Sequence, residues 1–135
     1  MGLNWTYKGE ELTEELIGDN VAFVYIITNL INNKKYIGKK LFQFSSTKMV
    51  KGKKKRCKKT SDYAKYYGSN TELKNDVVLH GKDNFKREIL HLCKSKGVAS
   101  YLETKEQIIN GVLESDDFYN SWIMCRVRKD HLNLL

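Results

Sequence analysis

The strongest hydrophobic pattern in the chain is an unbroken apolar run from Val21 to Ile27. It is rich in β-branched and aromatic residues, which favour a buried strand. The pattern breaks at Asn32 and Asn33, which tolerate the positive φ of a tight turn, and an apolar pattern resumes in KKYIGKKLF. The sequence therefore predicts a β-hairpin.

A helix is predicted downstream of this hairpin. Leu73, Val77 and Val78 form an apolar stripe that Gly81 can end, and Ser69 with Glu72 resembles a capping box at its start. The alternation in FKREILHLC, which begins at Phe85, predicts a third, half-exposed strand.

A second helix is predicted in VASYLETKEQIINGVL, where apolar residues recur at the spacings of an amphipathic helix. Glu103 falls off this stripe, on the wetter side of the helix. The stripe consists of Val98, Tyr101, Leu102, Ile108, Ile109 and Val112.

The two ends of the chain carry weaker patterns. We assign residues 1–20 to an N-terminal arm with one helical turn around Glu10 to Ile17, and residues 21–135 to a single domain. The segment NSWIMCRVRKDHL is expected to pack Trp122 and Ile123 as either a strand or a short helix. Together these elements predict an α+β fold with a small three-stranded antiparallel sheet flanked by helices.

Charge changes the picture, because the excess of positive charge is confined to one segment. The formal net charge is +8 over 135 residues, yet Lys34 to Lys65 alone holds 13 basic residues and one acid, Asp62. The rest of the chain is slightly acidic. The stretch from Lys48 to Lys59 has no periodicity, which predicts an extended, mobile loop that binds a polyanion.

Several classes of protein are excluded. The longest apolar run is far shorter than the roughly 20 residues that cross a bilayer, so no contact with a membrane is expected. The N-terminus has no signal-peptide pattern, so we expect the chain to stay in the compartment where it is made. The cysteines and histidines are isolated, which disfavours a disulfide framework or a transition-metal site.

Two tyrosines stand next to the most basic part of the chain. Tyr25 lies in the first strand of the predicted hairpin and Tyr36 in the second, with Lys39 and Lys40 just after it. A strand tyrosine is usually a packing residue, because its ring suits a pleated surface. Here ten residues separate the two tyrosines, and the second begins the motif YIG.

These residues resemble the motifs of the GIY-YIG nuclease family. FVY, ending at Tyr25, stands at the family's first motif, and YIG, beginning at Tyr36, matches the second. The resemblance continues through FKREIL, Glu103 and Asn120. In detail the chain is most similar to the small stand-alone bacteriophage enzymes of this family that are related to homing endonucleases.

The resemblance implies a set of roles in phosphodiester hydrolysis. Glu103 would be the sole protein ligand of one Mg²⁺ or Mn²⁺, and Tyr25 or Tyr36 would help to deprotonate the attacking water. Lys39 is expected to lower the pKa of the phenol, since a positive charge favours the phenolate. Asn120 would hold either Glu103 or the hairpin in place.

The chain departs from the family pattern at the catalytic arginine. Ser45 and Ser46 stand where the resemblance predicts it. Arg56 is the nearest candidate if the loop has been lengthened, and Lys65 is an alternative. Phe23 and Val24 replace the first two residues of the first motif, which should be tolerated because the tyrosine carries the chemistry.

The leading hypothesis is therefore a Mg²⁺-dependent DNA endonuclease of low sequence specificity. The alternative is a catalytically impaired nucleic-acid-binding module with the same fold, and a third hypothesis is a lysine surface for RNA or an acidic protein. Cutting both strands would require a homodimer or two visits. The residues assigned to phosphate binding are Lys40, Lys53, Lys54, Lys55, Lys58, Lys59 and Lys65.

Overall fold

The computed structural model describes residues 4–135 and has the mixed α+β composition that the sequence predicts. Its strands are β1 (Thr6–Tyr7), β2 (Glu10–Glu11), β3 (Ala22–Asn29), β4 (Lys35–Leu41), β5 (Gln43–Val50), β6 (Lys53–Thr60) and β7 (Phe85–Cys93). Its α-helices are α1 (Glu14–Ile17), α2 (Thr71–His80) and α3 (Lys96–Ile109). Short 3-10 turns cover Tyr63–Lys65, Lys82–Asn84 and Lys129–Leu132.

The main sheet has the strand order β2-β1-β7-β3-β4. The predicted hairpin is confirmed as β3 and β4, which pair antiparallel and set Tyr25 opposite Gly38 and Ile27 opposite Tyr36. The predicted third strand is confirmed as β7, which pairs antiparallel with β3. The predicted number of three strands is wrong, because β1 and β2 extend the sheet to five.

The two added strands come from the segment predicted as an arm. β1 pairs in parallel with β7, and Trp5 beside it is buried in the core, where its Nε1 donates to the Tyr63 carbonyl oxygen at 2.7 Å. The helical turn is shorter than predicted, since α1 begins only after Thr13. Residues 1–3 of the predicted arm lie outside the described residues, and the domain boundary at residue 20 stays a prediction.

The sheet buries apolar side chains on both faces, because successive side chains of a strand point to opposite sides. One face carries an aromatic cluster that includes Phe23 and Tyr25 and packs against Leu73 of α2. The other face packs Val24 and Ile37 against Val98, Ala99 and Val112. β4 is the last strand of the sheet, so one of its edges is left for other partners.

The lysine-rich stretch is not the predicted mobile loop. β5 and β6 form a separate two-stranded antiparallel ribbon, joined by a turn at Lys51 and Gly52 with positive φ angles of 51° and 77°. Among its eight cross-strand pairs, only Lys48 with Lys55 sets two cations opposite each other. Most basic residues face Ser, Thr, Met, Val or Phe instead, so the pairing limits the repulsion that argued for a loop.

Both helices differ in detail from the predicted patterns. Asn70, not Ser69, is the N-cap of α2, and its side-chain oxygen accepts from the Leu73 amide at 3.0 Å. Val78 lies outside the core at 86% exposure. In α3 the predicted core residues Ile108 and Ile109 are exposed, because Gln107 is the residue of the last helical turn that faces the core.

The end of the chain forms neither the predicted strand nor the predicted α-helix over Trp122 and Ile123. Residues 119–128 have no regular secondary structure. Ile123 packs against the second core, as expected, whereas Trp122 is 65% exposed. Within residues 4–135, the structure contains no helix of the length and apolar character that spanning a membrane requires.

Candidate active site

A cavity of about 350 Å³ opens beside the edge of β4, and we call it the edge cavity. It brings together five of the six predicted catalytic residues from three elements and a loop. The residues around it are Tyr25, Tyr36, Lys39, Ser69, Asn70, Glu103, Gln107, Asn120, Ser121, Trp122 and Met124. The sixth predicted residue, Arg56, does not border the cavity.

The two predicted tyrosines lie side by side across a glycine. Their ring centroids are 6.2 Å apart, and both rings pass close to Gly38, which pairs with Tyr25 across the hairpin. A Cβ atom at Gly38 would stand 2.5 Å from the Tyr25 hydroxyl oxygen and 2.9 Å from Cε2 of Tyr36. The glycine of the YIG motif is therefore required by space, since any side chain there would displace both rings.

Ser69 contacts the second tyrosine. The hydroxyl oxygens of Tyr36 and Ser69 are 3.1 Å apart and share a hydrogen bond. Because Asn70 caps α2, the Ser69 hydroxyl is not used for capping. The sequence pattern that suggested a helix cap at Ser69 thus marks a residue of the edge cavity.

A third tyrosine, Tyr66, stands against the first. Its ring meets the ring of Tyr25 edge-on at 6.0 Å between centroids. Arg87 of β7, only 3% exposed, donates from Nη1 to the carbonyl oxygens of Ala64 at 3.1 Å and Tyr66 at 2.9 Å. The buried guanidinium therefore fixes the segment that places Tyr66.

Glu103 projects from α3 toward the middle of β4. Its burial raises the pKa of the carboxyl group, whereas the positive charge of Lys39 and a hydrogen bond from the Lys39 backbone amide act in the opposite direction. Nζ of Lys39 donates to Oγ of Ser100 at 2.5 Å, which holds that charge on the α3 side of the strand. Lys39 thus supports the ionised form of Glu103.

The expected lowering of the tyrosine pKa by Lys39 is not found. The pKa of Tyr25, which is 1% exposed, lies well above its usual value because burial and the neighbouring Tyr66 and Tyr36 disfavour the phenolate. Burial also raises the pKa of Tyr36, against a smaller lowering by the Ser69 hydrogen bond. Neither tyrosine is therefore a phenolate near neutral pH in the free protein.

The free edge of β4 is held by side chains at Ile37. Asn120 both accepts from the Ile37 amide at 3.0 Å and donates to its carbonyl oxygen at 2.8 Å, in the manner of a neighbouring strand. Gln107 donates to the same carbonyl oxygen at 3.0 Å. Of the two roles predicted for Asn120, this geometry matches the one in which it holds the hairpin. Its contact is at Ile37, the residue between Tyr36 and Gly38.

The other predicted cations lie away from the cavity. Nζ of Lys40 is 2.7 Å from a carboxylate oxygen of Asp62 and 4.1 Å from the centre of the Tyr66 ring. This ion pair lowers the pKa of Asp62. Lys65 is exposed on a 3-10 turn. The remaining ones all belong to β6: Lys53, Lys54, Lys55, Arg56, Lys58 and Lys59.

The donor set of the edge cavity fits a hard divalent cation that retains most of its waters. Glu103 supplies the only carboxylate among the residues that border it. Mg²⁺ is commonly held by one or two carboxylates together with substrate phosphate oxygens and water. Among residues 4–135, no cluster of three or more His, Cys, Asp or Glu forms a more complete metal site.

Sequence reasoning missed several residues of this site. Gln107 lay within a helix assigned by its apolar stripe, and its role depends on the tertiary contact with Ile37. Trp122 and Met124 belong to a segment without periodicity, and they border the cavity as exposed side chains. Only Ser69 carried a usable signal, because the capping-box pattern with Glu72 had already singled it out.

Comparisons with known proteins found related sequences. Residues 5–123 match the family model described as "Putative endonuclease segE, GIY-YIG domain". The chain is 34% identical over 98 residues to a protein named "Putative endonuclease segE" from Enterobacteria phage T4. That alignment covers 73% of this chain and 39% of the relative, so the chain spans about two fifths of the relative's length. No solved structure matches the chain significantly.

Proposed function

Because the chain belongs to the GIY-YIG endonuclease family, we propose that it hydrolyses phosphodiester bonds of DNA in the edge cavity with the help of a divalent cation. The observation that supports this most is the convergence of Tyr25, Tyr36, Lys39 and Glu103 on one cavity. These residues come from two strands and a helix. Packing alone does not require a carboxylate and two phenol groups to share a solvent-accessible site.

Glu103 is the residue that would hold the cation, which we take to be Mg²⁺ or Mn²⁺. A bound divalent cation supplies positive charge for the scissile phosphate and for the leaving oxygen. Lys39 contributes by keeping Glu103 ionised despite its burial, through its charge and its backbone amide. This role replaces the one first expected of Lys39, which was to activate a tyrosine directly.

Tyr36 is better placed than Tyr25 to take a proton from the attacking water. It is the more exposed of the two, and its hydroxyl already exchanges a hydrogen bond with Ser69. The raised pKa of both tyrosines requires additional positive charge in the loaded site before either can act as a base. Tyr25, which itself packs against Tyr66, then serves to orient the Tyr36 ring.

A catalytically impaired DNA-binding module is the second candidate. It is favoured by the absence of any arginine among the residues that border the edge cavity. The two functions differ in outcome, because the module binds duplex, branched and single-stranded DNA without cutting any of them.

Two substitutions on the same helix test the proposed function. Glu103→Gln removes the carboxylate of the edge cavity. Glu106→Gln removes a carboxylate one helical turn later, which lies 3.0 Å from the His91 ring nitrogen. With plasmid DNA and Mg²⁺, we expect Glu103→Gln to lower the cleavage rate at least about 100-fold. Glu106→Gln should stay within a few-fold of the unaltered protein. Undiminished cleavage by Glu103→Gln would contradict the proposal.

A further inference from the structure

The ribbon of β5 and β6 has an unusual position in this fold. It leaves the body of the protein directly after Phe42, and a hydrogen bond from the Ser61 amide to the Phe42 carbonyl oxygen closes its base at 2.9 Å. Neither strand pairs with the main sheet. Almost every residue of the ribbon is exposed, and only Ser46, Val50 and Cys57 are partly covered.

Such a ribbon lacks the usual source of stability. An isolated two-stranded hairpin is marginal in water unless a helix or further strands cover one of its faces. The ribbon also contains eight basic residues and no acid from Gln43 to Thr60, so it repels itself even with favourable pairing. A polyanion that neutralises this charge is therefore the partner that its composition fits.

The dimensions of the ribbon fit duplex DNA. Its strands of eight residues are each about 27 Å long at roughly 3.4 Å per residue. The major groove of B-DNA is about 12 Å wide and admits a two-stranded ribbon. Basic residues on both faces of the ribbon suit the major groove, because phosphates line the groove on both sides. A ribbon that lay on a flat anionic surface would need only one basic face.

The two faces of the ribbon differ in chemistry. Residues paired across the strands point to the same side, so the register defines two sets. We call the set around Arg56 the mixed face: Gln43, Ser45, Thr47, Met49, Lys54, Arg56, Lys58 and Thr60. We call the other set the lysine face: Phe44, Ser46, Lys48, Val50, Lys53, Lys55, Cys57 and Lys59.

The mixed face has the side chains that recognise base edges. Arg can bind the major-groove edge of guanine with two hydrogen bonds, and Gln can do the same with adenine. A Thr methyl group can contact the methyl of thymine. The lysine face offers ammonium groups on long stems, which reach phosphates but lack the planar fork of Arg.

The ribbon is also connected to the edge cavity. Phe44 at its base borders a groove of about 560 Å³ together with Lys39, Lys40 and Lys96. Lys39 borders this groove and the edge cavity alike. A single DNA duplex would therefore be able to contact the ribbon and place a phosphate in the edge cavity.

We propose that the ribbon enters the major groove of duplex DNA with its mixed face toward the base edges, and that Arg56 there sets a preference among cleavage sites. This inference rests on the proposed function and goes beyond it, since it assigns base recognition to this chain itself. Arg56, first considered as a replacement for the family arginine, becomes a recognition residue.

The first test asks whether the ribbon needs the groove of a DNA duplex. The full chain, kept free of divalent metal with a chelator, is digested with trypsin alone and with a DNA duplex, an RNA duplex and single-stranded DNA of equal length. Cuts between Lys48 and Lys59 are followed by mass spectrometry. The DNA duplex should slow them about tenfold or more. The RNA duplex should protect much less, because its major groove is too deep and narrow for a ribbon.

Equal protection by the RNA duplex or by single-stranded DNA would overturn the proposal, because charge alone would then explain the binding. The same holds if no nucleic acid protects the ribbon. This test does not depend on catalysis. A protected ribbon in a protein that cuts no DNA would refute the proposed function and the preference among cleavage sites, but it would leave groove binding by the ribbon intact.

The second test compares two neighbouring positions with equal loss of charge. Arg56→Gln alters the mixed face and Lys55→Gln alters the lysine face. Binding is selected from a randomised duplex library, and cleavage sites are mapped on the same library. Arg56→Gln should reduce the preference at one base position about tenfold. Lys55→Gln should weaken binding to all sequences evenly and keep the preference.

Two results would overturn base recognition by Arg56. One is an identical effect of the two substitutions, and the other is a lack of sequence preference in the unaltered protein. Circular dichroism of both variants shows whether the fold is retained, and both positions are exposed, so little change is expected.

Discussion

β4 and the ribbon follow one another in the chain, with only Phe42 between them, yet they are held in opposite ways. β4 has a packed core on each face, and Asn120 and Gln107 bind its free edge at Ile37. The ribbon has neither a covered face nor a neighbouring strand. β4 is thus held on both faces and at its edge, whereas β5 and β6 depend on their pairing with each other.

The difference matches the roles that we propose for the two regions. Hydrolysis requires the reacting groups to be held within fractions of an ångström, and the contacts around Gly38, Tyr25 and Tyr36 provide such a fixed geometry. Binding along a groove requires charge and some freedom to adapt, and the exposed ribbon provides both. On this proposal, one domain separates chemistry from substrate binding, although the two regions are adjacent.

The largest expected difference between the two regions concerns stability. Leu73→Ala removes a fully buried side chain from the aromatic cluster that contains Phe23 and Tyr25, and it should lower the free energy of unfolding by about 2 to 5 kcal/mol. Met49→Ala, on the exposed ribbon, should change it by no more than about 0.5 kcal/mol. Urea denaturation measures both. A comparable loss for Met49→Ala would mean that the ribbon is part of the core.

The next difference concerns the fixed geometry of β4. Gly38→Ala forces the two tyrosine rings apart and should lower the rate of DNA cleavage at least about 100-fold, which corresponds to about 2.7 kcal/mol. Gly81→Ala is the matched control, because Gly81 has a positive φ of 87° but no neighbour within 4 Å of an added Cβ. It should cost about 1 to 2 kcal/mol of stability and leave the cleavage rate intact. Equal rates for the two variants would contradict the role of Gly38.

The smallest expected difference is a pH dependence of the core. Burial raises the pKa of the Cys93 thiol from 9.0 to about 11, so the folded state holds this proton more tightly than the unfolded chain. Its contribution to stability is complete below pH 9 and is lost as the pH rises through 11. The loss up to pH 11 should not exceed about 2 kcal/mol.

Two cysteine variants isolate this effect in urea denaturation between pH 8 and 11. Cys93→Ala should make the decline of stability with pH shallower than in the unaltered protein. Cys57→Ala, on the ribbon, should leave the decline unchanged. A decline that is the same in all three proteins would show that Cys93 does not contribute to it.

The elements with strong local signals could be predicted from the sequence. The apolar run of β3, the asparagine turn and the motif YIG define the hairpin, and its register then fixes Tyr25 opposite Gly38. The alternation of residues in FKREILHLC predicted β7, and the apolar stripe of the following helix predicted α3. Glu103 could be placed on the wetter side of α3, and the structure has it at the border of the edge cavity.

The ribbon could not be predicted, because its charge suggested self-repulsion and its strands show no apolar alternation. What makes it possible is the register, in which β5 supplies mostly neutral partners for the lysines of β6. Register is a property of two strands together, so no window of the sequence contains it.

Some features of the site arise only from tertiary contacts. The binding of Ile37 by Asn120 and Gln107 joins residues about 70 to 80 positions apart in the chain. The pKa values of the tyrosines are raised by burial. Lys39 does not offset this effect, because its ammonium group is held by Ser100 of α3, the helix that carries Glu103. The sequence could identify the participants but not their electrostatic relations.

The separation of chemistry from binding is tested most directly by measuring DNA affinity and the maximal single-turnover cleavage rate of Glu103→Gln in parallel. Affinity is measured by fluorescence anisotropy on a duplex, and the rate at saturating protein with Mg²⁺. We predict affinity equal to or tighter than that of the unaltered protein, since a negative charge is removed, and a maximal rate at least about 100-fold lower. A maximal rate that is retained, or a parallel loss of affinity and rate, would contradict the account.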